Sequence, residues 1–94
     1  MKAKIKNFIV GPDGSIEVVF QTEKKITGTG RKALLKHLAD NLQGFNTTVG
    51  PLCLEWLPNE YVLWLGFDED DVRFIDAVAI IDILNQLFES FKKN

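Results

Sequence analysis

The sequence predicts one small α+β domain over residues 1–94, in which a four-stranded, mainly antiparallel sheet carries two helices on one face. Two stretches of alternating apolar residues flank a strong turn, and two further dense apolar runs are separated by a Pro-Asn pair. Each of these pairs is followed by an amphipathic stretch with apolar residues three and four positions apart, which is helical spacing. The order is therefore β-β-α-β-β-α, and gathering both helices over one face of the sheet buries their apolar sides.

The first predicted hairpin joins residues 2–10 and 15–23 through Gly11-Pro12-Asp13-Gly14. Proline presets φ for the second position of a type I turn, and the final glycine accepts a positive φ. A four-residue connection aligns the apolar side chains of the two strands on one surface. The expected partners are Ala3 with Thr22, Ile5 with Phe20 and Ile9 with Ile16 on that surface, and Lys2 with Glu23, Lys6 with Val19 and Phe8 with Glu17 on the other.

The first predicted helix spans residues 31–43 and packs on the sheet through four leucines on one face. A polar, glycine-bearing passage precedes it and is expected to supply Thr29 or Gly30 as the helix cap, and Gly44 ends the helix. Arg31 and Lys32 then lie at its first turn, where two cations oppose the helix dipole.

The second predicted hairpin pairs residues 52–57 with residues 60–67 across Pro58-Asn59. Its expected partners are Trp56 with Tyr61, Leu54 with Leu63 and Leu52 with Leu65, and the opposite surface holds Cys53, Glu55, Val62 and Trp64. Such continuous apolarity is typical of strands covered on both faces, yet two helices can cover only one. The uncovered face is therefore a candidate interface, because monomers rarely expose a large contiguous apolar patch. Its expected contact residues are Phe8, Val62 and Trp64.

The closing stretch, residues 71–91, predicts one long amphipathic helix that begins at Asp70 or Asp71. From Ala77 onward the apolar residues form one broad stripe. Phe74, Ile75 and Val78 fall outside this stripe, near the azimuth of Asp82. Two interpretations follow: the preceding connection or the sheet edge covers these three side chains, or they form a subunit or partner contact together with Asp82.

The net charge of −2 hides a polarity along the chain. Residues 1–40 carry eight Lys or Arg against four acids, and residues 41–94 carry three against nine. This pattern suggests a charged partner or self-complementarity. One alternative function is therefore a nucleic-acid-binding module that uses a lysine face, and another is an acidic inhibitor over residues 68–82 that imitates nucleic acid, of the phage or mobile-element type. The lysine face comprises Lys2, Lys4, Lys6, Lys24 and Lys25.

Residues capable of catalysis are present, but no spacing in the sequence brings them together. Asp68-Glu69-Asp70-Asp71 could hold Mg²⁺ or Ca²⁺, yet this run lacks the alternating acids and central glycine of a calcium loop, which favours a solvated linker and helix cap. His37 is expected at the surface or its boundary, Ser15 and Ser90 have no recognisable triad partner, and Cys53 is expected to be an inert thiol. We expect no enzymatic activity, no cofactor and no bound metal; a divalent-metal enzyme at the acidic run is the competing hypothesis.

The sequence therefore predicts a small non-enzymatic interaction or regulatory protein that forms a homodimer or binds a protein partner. Its contacts are expected from the closing helix and from the uncovered sheet face. No apolar stretch is long enough for a signal peptide or a membrane span, so we expect a cytoplasmic protein without a membrane partner.

Overall fold

A computed structural model describes residues 1–42, 48–54, 59–67 and 76–91, and it confirms the predicted small α+β architecture. The elements are β1 (Ala3–Val10), β2 (Ser15–Thr22), α1 (Gly28–Leu42), β3 (Thr48–Leu54), β4 (Glu60–Gly66) and α2 (Ala77–Ser90). The strands form one antiparallel sheet in the order β1-β2-β4-β3. Both helices cover the same face, with α1 over β3 and α2 over β1, and they also touch each other.

The hydrophobic core lies between the helices and the two central strands. Alternate residues of β2 and β4 point into it because successive side chains of a strand face opposite sides. The fully buried members are Ile16, Val18 and Phe20 of β2, Tyr61, Leu63 and Leu65 of β4, Leu34 and Leu38 of α1, and Leu84 of α2. The ring of Phe20 stacks on Tyr61 at 5.6 Å and meets Phe88 of α2 at 4.7 Å between centroids, so one aromatic cluster joins the sheet to α2.

The first hairpin confirms the predicted turn but corrects part of the predicted register. Gly14 has a φ of 88°, as the turn requires. Ala3 pairs with Thr22 and Ile5 with Phe20, as expected, but a β-bulge then occurs between Ile5 and Asn7. Beyond it Asn7 pairs with Val19, Phe8 with Val18, Ile9 with Glu17 and Val10 with Ile16. The expected pairs of Lys6 with Val19, Phe8 with Glu17 and Ile9 with Ile16 are wrong, because the bulge inserts one unmatched residue and reverses the faces.

The second hairpin is also shifted from its predicted register. Leu54 pairs with Tyr61 and Leu52 with Leu63, two residues away from the expected partners. The pairing of Leu54 with Tyr61 leaves residues 55–60 between the two partners, a register that does not fit a two-residue turn at Pro58-Asn59. Because the shift is an even number of residues, the predicted division of β4 into a core side and an open side is retained. The expected pair of Trp56 with Tyr61 is wrong, because Leu54 and Phe20 are the neighbours of Tyr61 in the sheet; Trp56 itself lies outside the described residues.

Both helices begin at residues other than those predicted. Thr27, rather than Thr29 or Gly30, caps α1: its hydroxyl accepts a hydrogen bond from the Gly30 N–H at 3.0 Å. The two cations at 31 and 32 consequently lie in the second turn, where the opposing helix dipole has largely decayed. In α2 the cap is Asp76, whose φ of −95° and ψ of 104° are extended. The predicted helix through residues 71–91 is therefore wrong at position 76, which is an extended cap residue and not a helical one. Residues 71–75 lie outside the described residues.

Candidate interaction surface on the open face of the sheet

The open face is the side of the sheet that the helices leave uncovered. Strand pairing arranges it in three rows across β1, β2 and β4: Ile9, Glu17 and Trp64; Asn7, Val19 and Val62; and Lys4, Gln21 and Glu60. The apolar members concentrate in the first two rows. Ile9 is 49% exposed and Trp64 is 37% exposed, whereas Val19 and Val62 in the next row are half-buried. The face therefore presents an apolar patch that the exposed Glu17 interrupts between Ile9 and Trp64, with a polar third row at one end.

Trp64 lies flat across two glycines, and this explains why so large a side chain rests on the sheet. A Cβ atom placed on Gly50 of β3 would overlap Cε3 of the indole, and one placed on Gly66 would lie 2.6 Å from Cη2. Distances this short exclude any side chain at either position while the ring keeps its place. The indole is thus fixed by contact with bare backbone on two sides, and it offers its remaining surface to solvent.

One ion pair borders the apolar patch. The Lys6 ammonium lies 3.2 Å from Oε2 of Glu60, so it reaches from the bulge in β1 across β2 to β4. The Lys6 side chain is 41% exposed, and exposed pairs of this kind contribute about 0–1 kcal/mol to stability. The ion pair neutralises the charge of Lys6, one of the lysines that the sequence predicted for a nucleic-acid face.

The structure separates the residues that the sequence predicted as interface. Val62 and Trp64 share the open face, as expected. Phe8 does not, since it pairs with buried Val18 and packs against the core, and its expected place on the open face is wrong because of the bulge at Lys6. Val78, at 69% exposure, and Asp82 lie on the solvent side of α2, across the molecule from the sheet face. Phe74 and Ile75 lie outside the described residues.

Four of the five lysines assigned to a nucleic-acid face gather at one end of the sheet, where β1 begins and β2 ends. Lys2 and Lys4 line one groove there, and Lys2, Lys24 and Lys25 line an adjoining one. Glu23 is the acid that lines both. The acidic alternative draws on residues 68–82, of which 68–75 lie outside the described residues.

His37 meets Ser90 between the helices, a neighbour that the sequence did not reveal. Its Nε2 atom lies 3.1 Å from the Ser90 hydroxyl oxygen and 3.0 Å from the carbonyl oxygen of Leu87. A carbonyl can only accept, so Nε2 must carry a proton for the bond to Leu87 to form. That nitrogen is then a donor and has no lone pair with which to activate a serine hydroxyl. The arrangement fits a joint between α1 and the end of α2, supported by the Phe91 ring at 5.6 Å.

The remaining candidates for chemistry are dispersed or fall outside the described residues. Ser15 donates to Asp13 at the tip of the first hairpin. Cys53 lies in β3, where its backbone pairs with Val62. Within the described ranges, no group of three His, Cys, Asp or Glu side chains is placed to hold a metal ion. The acidic run at 68–71 is not among these residues.

Sequence reasoning missed two parts of the open face. Ile9 was expected in the core, and the bulge turns it outward; two adjacent polar residues in β1, Lys6 and Asn7, are the only trace of this bulge in the alternation. The glycines beneath Trp64 were also overlooked. A tryptophan two residues from a glycine in the same strand was the available signal, because such a glycine leaves room for the ring.

Among the residues with described coordinates, no helix is long and apolar enough to cross a membrane. No protein-family model matches the chain, and a search of curated proteins found no match to it.

Proposed function

We propose that this protein is a non-enzymatic interaction module that forms a homodimer through the open face of its sheet. The observation that carries the proposal is the exposure of Ile9 and Trp64, which flank Glu17 and are continuous with half-buried Val19 and Val62 on a face that neither described helix covers. A second copy is the occupant we favour, because covering this patch with its own counterpart removes apolar surface from water on both sides.

The edges of the sheet are poorer surfaces for self-association than the face. Both edge strands are bulged: β1 between Ile5 and Asn7, and β3 between Val49 and Leu52. A bulge interrupts the regular row of backbone donors and acceptors that edge-to-edge pairing needs. The exposed Lys4 on β1 adds repulsion between two like edges. Association is thereby directed to the face.

The size of the face suits a modest dimer. With strands about 4.8 Å apart and about 3.3 Å per residue, four strands of seven residues cover roughly 19 by 23 Å. Taken as flat rectangles, two such faces bury on the order of 900 Å² together. The uneven surface of the side chains adds to this area. The total is near the lower limit of specific interfaces, about 1,000 Å². We therefore expect an equilibrium between monomer and dimer that depends on concentration.

The test is the solution mass, measured by light scattering over a concentration series at low and high salt. We expect a dimer that persists at high salt, because its contacts are apolar. Ile9→Lys and Trp64→Asp should each give a folded monomer, with unchanged far-UV circular dichroism. Val78→Asp is the matched control, since it places a charge on an exposed apolar residue of the opposite side.

Two outcomes would contradict the proposal. A wild-type protein that is monomeric at every concentration would show that the open face has no second copy on it. A dimer that survives Ile9→Lys and Trp64→Asp but dissociates in Val78→Asp would move the interface to α2.

A further inference from the structure

The basic groove is a concavity of about 480 Å³ at the end of the sheet, lined by the two residues before β1, the end of β2 with its connection to α1, and the residue after α2. Its floor is apolar: Ile26 is 5% exposed and Phe91 is 6% exposed. Its rim carries the exposed side chains of Lys2, Lys24 and Lys25. The groove thus combines a small apolar floor with three lysine ammonium groups and the carboxylate of Glu23.

Hydrogen bonds hold the shape of the basic groove. The Thr22 hydroxyl donates to the carbonyl of Lys24 at 2.6 Å, which fixes the bend that carries two of the three rim lysines, Lys24 and Lys25. The next apolar residue, Ile26, donates its N–H to the buried Tyr61 hydroxyl at 2.7 Å. The floor is therefore set by the core, and a ligand would not have to order it on binding, which reduces the entropic cost.

We propose that the basic groove binds an acidic peptide segment that carries an apolar side chain. Carboxylates of the peptide would pair with the rim ammonium groups, and the apolar side chain would lie against half-buried Met1, above the buried Ile26 and Phe91. Charge complementarity argues for this partner, because among the described residues that line the basic groove three are lysines and Glu23 is the single acid. The site is separate from the open face and does not depend on the dimer.

Single-stranded nucleic acid fits the same groove less well. Proteins that bind single strands combine cations with aromatic rings on which bases stack. Among the described residues that line the two grooves, none presents an exposed aromatic ring, since Phe91 is buried. Lys6, which would extend the cationic row, is paired with Glu60.

The test measures fluorescence anisotropy with three labelled probes: a short peptide of alternating Glu and Leu, the same peptide with Ser in place of Leu, and an oligothymidine of similar charge. Wild-type protein should bind the Glu-Leu peptide most tightly, and the affinity should fall with salt, which screens exposed charges. Lys24→Glu/Lys25→Glu should weaken binding by about tenfold or more, as expected for the loss and reversal of two exposed pairs. Lys32→Glu/Lys36→Glu is the matched control, because it makes the same charge change on exposed positions of α1.

Three results would overturn the proposal. Tighter binding of oligothymidine than of the Glu-Leu peptide would assign the groove to nucleic acid. An equal loss of affinity in both double variants would show that peptide binding depends on the net charge of the protein and not on the basic groove. Absence of peptide binding to the wild type, while backbone amide signals of residues 22–26 stay unmoved in a nuclear magnetic resonance titration, would leave the groove without this ligand.

Discussion

Tyr61 shows how one polar atom positions a connection. Its ring is completely buried against Phe20, and its hydroxyl accepts the N–H of Ile26 at 2.7 Å. Ile26 has no strand or helix partner for that N–H, because it lies between β2 and α1. A buried donor without a partner is costly, so the tyrosine hydroxyl stabilises a bend that the backbone could not satisfy alone.

Removing this hydroxyl should therefore destabilise the fold without changing its shape. We expect Tyr61→Phe to lower the free energy of unfolding by about 1–3 kcal/mol, the cost of leaving one buried N–H unpaired. Urea unfolding measures this change, and the m value should stay constant. Faster hydrogen exchange at the Ile26 amide would locate the effect. A change in stability no larger than the experimental error would mean that the hydroxyl is not this donor's partner.

The Asp13 carboxylate provides a pH-dependent contact at the tip of the first hairpin. The Ser15 hydroxyl and the Ser15 N–H both donate to its Oδ1, at 2.6 and 3.1 Å, and these bonds lower the pKa of Asp13 below its ordinary value. Because the folded pKa is depressed, the contribution to stability is present above the unfolded pKa and is lost as pH falls through the folded pKa.

We expect Ser15→Ala to raise the pKa of Asp13 part of the way to its ordinary value, since the backbone N–H still donates. The carboxyl carbon shift of Asp13, followed by nuclear magnetic resonance through the acidic range, measures the midpoint. Ser90→Ala makes the same substitution on α2 and should leave that midpoint in place. Equal midpoints in wild type and Ser15→Ala would show that the hydroxyl does not act on the carboxylate.

At the scale of elements, the sequence predicted a feature correctly where no inserted residue could shift the strand register. The turn at residues 11–14 was readable because its residue types specify the backbone directly. The bulge at Lys6 was not, since alternation assumes that residues pair one to one, and a single extra residue reverses every later face. Trp64 and Val62 were placed correctly because β4 is regular, whereas Phe8 and Ile9 lie beyond the bulge and exchanged sides.

The start of α2 tests the importance of one cap. Asp76 Oδ1 accepts the N–H groups of Val78 and Ala79 at 3.1 and 3.3 Å. We expect Asp76→Ala to lower the free energy of unfolding by about 0.5–2 kcal/mol, and Asp76→Asn by less, because asparagine also caps helices. Thermal or urea unfolding measures the stabilities of the wild type and the two variants, and we expect Asp76→Asn to lie between the wild type and Asp76→Ala. Asp82→Ala, on the exposed side of the same helix, is the control and should change stability little; a loss equal to that of Asp76→Ala would argue against a capping role.

At the scale of the whole molecule, the helices and the open face lie on opposite sides of one sheet, and that separation makes the proposed dimer testable by stability as well as by mass. Association of native copies stabilises them by mass action. We expect the melting temperature to rise with protein concentration in the wild type and in Val78→Asp. In Trp64→Asp it should be independent of concentration, as measured by circular dichroism at a fixed heating rate. If the melting temperature of Trp64→Asp rose with concentration as much as that of the wild type, association would not take place through the open face.

The indole resting on Gly50 and Gly66 also constrains how this chain can vary over evolution. A methyl group at either glycine collides with the ring, so either position can gain a side chain only if residue 64 becomes smaller or its ring moves. The three sites should therefore change as a set. Homologous sequences that keep tryptophan at 64 are expected to keep both glycines, and those that lose it are free to lose them.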